Sequence, residues 1–285
     1  MSKIPSLFRL ACLAAFSLGL QAAESTNVLV SIFPDKHLEE AVRQQVFAKR
    51  GTKDPLTASD VGSVSTVTAP FAGITNLAGL EHCRSLAMFE APGNRIADLR
   101  PLTGLKQLQT INLASNSVKV LAPLAGVPAL QYVELSHNQV SDITPLGGLT
   151  NLASVYLSAN RLTTASVLTN LPRLTTLYLD GNRLTTLDGF ERLKGITTLS
   201  AAHNRIGDLG PITGFRAPYY VNLSGNRIRD LAPLQRWMTN DLAGPRTFAP
   251  FVRLYLSDNP LSRGAKKQLD SLKAQGARIN PEASK

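Results

Sequence analysis

The chain has 285 residues, 44% hydrophobic and 18% charged, with 30 Lys and Arg against 20 Asp and Glu for a formal net charge of +10. No stretch reaches the about 20 consecutive apolar residues that a membrane-spanning helix needs. Two cysteines, Cys12 and Cys83, cannot make a disulfide framework, and the basic balance favours anionic partners only if the charges cluster.

The first segment reads as a secretory leader over residues 1–22. Lys3 and Arg9 precede an apolar run from Leu10 to Leu20, no acid occurs before Glu24, and Ala22 supplies a small residue for cleavage, with Ala23 as the alternative. Its removal lowers the formal charge to +8 (10 − 2) and leaves Cys83 as the single cysteine. Localisation is therefore expected to be exported, periplasmic or secreted.

Residues 23–63 read as a helical N-terminal cap. Asp35 follows Pro34 and starts a helix with Leu38, Val42 and Val46 on one face; Thr57 and Asp60 form a second start, TxxD. The next segment, 64–261, repeats. Asn94, Asn116, Asn138, Asn160, Asn182, Asn204 and Asn226 recur every 22 residues, each inside an LxxLxLxxN frame such as Leu130, Val133, Leu135 and Asn138. The alternating part predicts a short strand, the strands stack in parallel, and the Asn amide satisfies backbone groups that the turn leaves unpaired. Ala72 takes the Asn position in a degenerate first repeat.

About nine residues remain for the return path, opened by Pro101, Pro123, Pro145, Pro211 and Pro233, which predicts 3₁₀ or irregular turns and a thin convex side. The fold class is thus an α/β repeat solenoid, a leucine-rich-repeat horseshoe with parallel strands on the concave face. Cys83 falls in the apolar column of Leu105, Val127, Leu149, Leu171, Leu193 and Phe215 and reads as packing. The interval from Asn226 to Asn259 is 33 residues, an 11-residue insertion (33 − 22) over about 238–250. It reads as a surface loop, either a recognition element or a tolerated addition. Residues 262–285 form the C-terminal cap and tail, with Leu269, Leu272 and Ile279 closing the stack and the tail from Pro281 outside it.

With caps and frame in place, the chain resembles bacterial leucine-rich-repeat proteins of the internalin type, in which 22-residue units follow a small helical cap. The likeness rests on IFPDKHLEEAVR at Ile32 to Arg43, GLEHCRSL at Gly79 to Leu86, the NxI/LxDLxPLxxL units and LSDNPLS at Leu256 to Ser262. The resemblance implies protein–protein recognition through the concave face. Nothing after the C-terminal cap reads as a wall-sorting tail or a further binding module, so a role in host-cell invasion is not expected.

Residues six, four and two positions before each Asn are expected to line the concave face. Tyr132, Tyr156, Tyr178, Tyr220 and Tyr255 all occupy the first two of these columns, and Tyr219 alone lies outside. Strands about 4.8 Å apart would stack Tyr156 beside Tyr178 with Tyr132 diagonal to them. A rigid ring with a polar tip suits an interface hot spot and also a sugar ring, although aromatic residues suit strands in any case. A second column, one residue after the Asn, carries Arg95, Arg161, Arg183, Arg205 and Arg227, the last four in consecutive repeats. It is either a solvated edge or a contact for a carboxylate-rich protein or an anionic polymer.

Glu90, Glu134 and Asp180 share the concave face. Carboxylates about 10 Å apart approach the spacing of an inverting glycosidase, but an open wall neither excludes water nor buries a carboxyl group. His37, His82, His137 and His203 show no metal spacing, and no nucleophile elbow, zinc-protease or phosphate-loop motif occurs. The expectation is a binding protein, with no enzyme activity and no cofactor. Its partner would be a protein, with polysaccharide or an anionic envelope polymer as the alternative and no nucleic acid or membrane span.

Overall fold

The computed structural model describes residues 30–280; the leader at 1–22 and the tail from Pro281 lie outside the described residues. Nine three-residue strands form one parallel sheet in strict chain order: β1 (Thr66–Thr68), β2 (Met88–Glu90), β3 (Thr110–Asn112), β4 (Tyr132–Glu134), β5 (Ser154–Tyr156), β6 (Thr176–Tyr178), β7 (Thr198–Ser200), β8 (Tyr220–Asn222) and β9 (Arg253–Tyr255). Each strand pairs with the next in a register that opposes equivalent positions of successive repeats, as in Tyr156 to Tyr178. The central residue of every strand is buried, and the flanking residues face outward. The chain is thus the leucine-rich-repeat solenoid that its periodicity predicts.

The asparagine column shows why the period is rigid. Asn160 donates its amide to Leu135 O at 2.9 Å and Leu157 O at 3.1 Å, while its oxygen accepts from Val140 N at 2.9 Å. One side chain therefore satisfies backbone groups on its own coil and on the preceding one. The same set recurs at Asn94, Asn116, Asn138, Asn182, Asn204, Asn226 and Asn259. The residue before each of them has positive φ, whether Gly93, Gly181 and Gly225 or Ser115, His137, Ala159, His203 and Asp258. Glycine is required where a ring must fit: a Cβ on Gly225 would lie 2.5 Å from the His203 ring.

Return segments are short 3₁₀ turns, among them Arg100–Leu102, Thr144–Leu146 and Gly210–Gly214, with proline in the first two positions. Asp98, Asp142 and Asp208 accept the N–H two residues on and fix the start of each turn. Cys83 is fully buried, and burial followed by the Glu81 charge pushes its thiol up to about 12, as suits a packing residue.

Both ends of the stack are covered. Helix α1 (Lys36–Arg43) is capped by Asp35, whose second oxygen reaches across to Thr75 N at 2.7 Å and Asn76 N at 3.1 Å and ties the cap to the first repeat. Helix α2 (Ala58–Val61) carries the Thr57/Asp60 capping box. At the other end, Ser262 caps α4 (Arg263–Ala274), Leu272 is buried, and Ile279 makes a parallel bridge to Leu254 on the last strand edge.

The insertion differs from the expected surface loop. Its first residues extend the return turn of the eighth coil into a helix, α3 (Ala232–Ala243), because Leu234, Met238 and Leu242 recur at helical spacing and all are buried. The remainder folds back through Asp241, which accepts from Thr247 N, Thr247 Oγ1, Phe248 N and Ala249 N at 2.6–3.1 Å. Burial opposes ionisation of Asp241, but these donors, led by the Thr247 hydroxyl, hold its carboxyl below the ordinary range. Trp237 stacks on Phe248 at 4.2 Å between centroids.

Candidate functional site

Alternation along the strands decides which side chains reach the concave wall. In β4 to β6 the central Val133, Val155 and Leu177 enter the core, so Tyr132, Tyr156 and Tyr178 must point outward. The rings meet as strand spacing predicts. Tyr156 and Tyr178 stack with centroids 5.0 Å apart and planes 13° from parallel; Tyr132 and Tyr156 are 5.3 Å apart and tilted by 41°. Farther along, Tyr220 and Tyr255 are 5.4 Å apart at 45°. All five are half-buried, because each ring covers part of its neighbour and leaves the rest open.

Between the two groups β7 presents Thr198 and Ser200, so the wall dips there. Ser200 is only 2% exposed although its side chain lies on the outward face. Its hydroxyl donates to Asp180 at 2.6 Å, and the same carboxylate accepts from Ala202 N at 2.7 Å and from the Ser158 hydroxyl at 3.3 Å. Asp180 therefore cross-links three coils. Its sequence signature, an outward position two residues before the Asn, did not distinguish this tie from a ligand contact. Glu134 accepts from Ser136 N at 2.7 Å and pairs in register with Tyr156, while Glu90 lies two strands away.

The surroundings of Tyr132, Tyr156, Tyr178 and Tyr220 disfavour the charged form. Burial and then the charges of Glu134, Tyr156 and Glu90 push the Tyr132 hydroxyl to about 12. Burial and Glu134 raise Tyr156, burial followed by Tyr156 and Asp180 raises Tyr178, and burial raises Tyr220 against an opposing bond with Asn222. At neutral pH the belt presents phenolic donors on apolar rings, with carboxylates beside them. Sequence reading passed over Arg253, which shares the outward face of β9 and places its guanidinium 5.5 Å from the Tyr219 ring. Its signal was a position six residues before Asn259, in the same column as Tyr132 and Tyr220.

Arg95, Arg161, Arg183, Arg205 and Arg227 are all exposed. They follow the turn that ends each strand and lie on the lateral edge, so the structure does not merge them with the belt. A shallow depression of about 650 Å³ is lined by turn residues including Thr75, Asn76, Glu81, Asp98 and Arg100 and holds none of the tyrosines. Among the described residues no group of three His, Cys, Asp or Glu side chains could hold a metal ion, and no helix is long and apolar enough to cross a membrane.

Known proteins place the architecture in the same class. The leucine rich repeat family profile matches residues 150–206, and the profile for two-copy leucine rich repeats matches 128–170. With nine stacked coils and the asparagine column, these define a leucine-rich-repeat protein, and its solved neighbours make it internalin-like in fold. Internalin C2 of Listeria monocytogenes is 24% identical over 87% of this chain and 92% of its own, with a TM-score of 0.60. Internalin InlF of the same organism is 19% identical over 87% and 90%, with a TM-score of 0.63. A plant peptide hormone receptor, RGFR1, in complex with RGF2, is 22% identical over 69% of this chain and 35% of its own, with a TM-score of 0.54. No curated protein sequence matches the chain.

Proposed function

We propose that the protein is an exported, non-enzymatic recognition module that binds a protein partner through the tyrosine belt of its concave face. The observation that carries this reading is the contact between Tyr132, Tyr156 and Tyr178 on a wall where the fold requires only that alternate residues point outward. Rigid rings with protonated hydroxyls lose little entropy on binding and offer both apolar area and hydrogen bonds, which is the composition of interface hot spots. The leader at 1–22 supports export. Open geometry and the engagement of Asp180 and Glu134 in backbone and hydroxyl bonds argue against a catalytic carboxylate pair.

The test begins by cross-linking partners in the native compartment and titrating the purified partner against the chain. Wild type is expected to saturate, and the Tyr156→Ala, Tyr178→Ala double variant to bind at least about 30-fold more weakly, the loss that corresponds to a hot spot of about 2 kcal/mol. Circular dichroism checks that the variant remains folded. Undiminished protein binding by the double variant, or saturable binding of a neutral glycan that the double variant loses, defeats the proposal.

A further inference from the structure

The lateral edge carries a second surface that neither the fold nor the tyrosine belt accounts for. Arg161, Arg183, Arg205 and Arg227 occupy one slot in four consecutive coils, and their backbone N–H groups donate to Val140 O, Leu162 O, Leu184 O and Ile206 O, each at 2.8 Å. The four side chains therefore leave the solenoid from equivalent points, with an interval set by coil stacking at about 4.8 Å. Ser117 and Gln139 fill the same slot in earlier coils and make the same backbone bond, to Ile96 O and Val118 O at 2.9 Å. The slot asks nothing of its side chain.

Charge makes the row costly for the folded chain alone. None of the four arginines is ion-paired among the described residues. The acids that follow three residues after Arg205 and Arg227 are occupied: Asp208 accepts from Gly210 N and Asp230 from Ala232 N. Arg161 Nη2 donates to Gln139 Oε1 at 3.1 Å, which lays its guanidinium along the row. The residues that precede the column Asn in these coils are Ala159, Gly181, His203 and Gly225, three of them small, so the row is accessible from the side. Like charges stacked at strand spacing repel one another, and an external anion relieves that repulsion.

We propose that this row binds a linear acidic polysaccharide, with successive guanidiniums engaging successive anionic groups through charge-assisted, forked hydrogen bonds. A line of charges one residue wide, spanning three intervals or about 14 Å, matches a thread and not the plane of a lipid surface. The row contains no Phe, Tyr or Trp, and His203 is the one ring among the four residues that precede its asparagines, so single-stranded nucleic acid lacks the run of stacking rings that its usual platform supplies.

Calorimetric titration of the full chain tests the assignment. The probes are polygalacturonate oligomers of graded length and dextran sulfate, which separate carboxylate from sulfate recognition, with neutral dextran, a single-stranded oligonucleotide and anionic phosphatidylglycerol vesicles alongside. Saturable binding to one or both acidic glycans is expected, stronger with length until the oligomer spans the row and weaker with added salt. The Arg183→Ala, Arg205→Ala variant should lose at least tenfold in affinity, and Tyr156→Ala, Tyr178→Ala should lose none, so this site and the belt fail or stand separately. Failure of both acidic glycans to bind, unchanged affinity in the arginine variant, equal binding of neutral dextran, or a preference for the oligonucleotide or the vesicles overturns the proposal.

Discussion

The interior asparagine column and the outward columns four and six residues before it are carried by the same coils, yet they differ in how free the sequence is. From Asn94 to Asn259 the interior position never changes, because its amide must satisfy groups on two coils at once. The outward positions hold Thr, Met, Glu, Asn, Ser, Tyr and Arg, since every side chain there except Ser200 meets water. Structure fixes the first column and leaves the second open, so a concentration of one residue type in the open column points to use, whereas the same concentration in the fixed column reports only packing.

Breaking the fixed column should produce the largest effect. Asn160→Leu strands the Val140 N–H and removes one of the two amide donors from each of the Leu135 and Leu157 carbonyls, which keep only Asn138 and Asn182; a loss of about 3 kcal/mol is expected in urea denaturation. Because each coil touches only its neighbours, the flanking coils should loosen with it, which hydrogen exchange at Val140 and Leu157 would register.

Asp241 extends the comparison to the one coil of unequal length. Asp241→Asn replaces an acceptor-only group that takes four hydrogen bonds, and a loss of about 2 kcal/mol is expected. A carboxyl held below its ordinary range contributes stability fully above the unfolded-state pKa, and that contribution vanishes as pH falls through the lower folded value. The wild type should thus lose stability on acidification below about pH 4, and the Asn variant should lose less of it. Equal acid sensitivity of the two proteins would show that Asp241 does not hold the insertion.

The open column should show the smallest effect on folding. Tyr156→Ala, which removes two ring contacts from a half-buried site, is expected to cost about 1 kcal/mol or less in the same denaturation experiment. A cost matching that of Asn160→Leu would mean that the belt serves the fold, and the contrast between the columns would collapse.

Repetition made most of the fold legible before any coordinates. A 22-residue period sets the strand, the turn and the inward slots together, and the Asp35 and Thr57/Asp60 starts are local hydrogen-bonding patterns readable from four residues. The outward direction of Tyr132, Tyr156 and Tyr178 follows from the same alternation.

What the sequence could not supply was every feature that depends on contact across coils or on the loss of the period. From Met238 to Pro250 no repeat constrains the chain, so packing of Met238, Leu242 and Phe248 against the stack, together with the Asp241 hydrogen bonds, makes that segment a helix and a fold-back instead of a loop. Asp180 lies in an outward column by sequence, yet Ser200 and Ala202, one coil on, and Ser158, one coil back, claim its carboxylate. Local spacing determines where a side chain starts and which way it leaves the backbone; what it touches is decided by the neighbouring coil, 22 residues away in sequence and about 4.8 Å away in space.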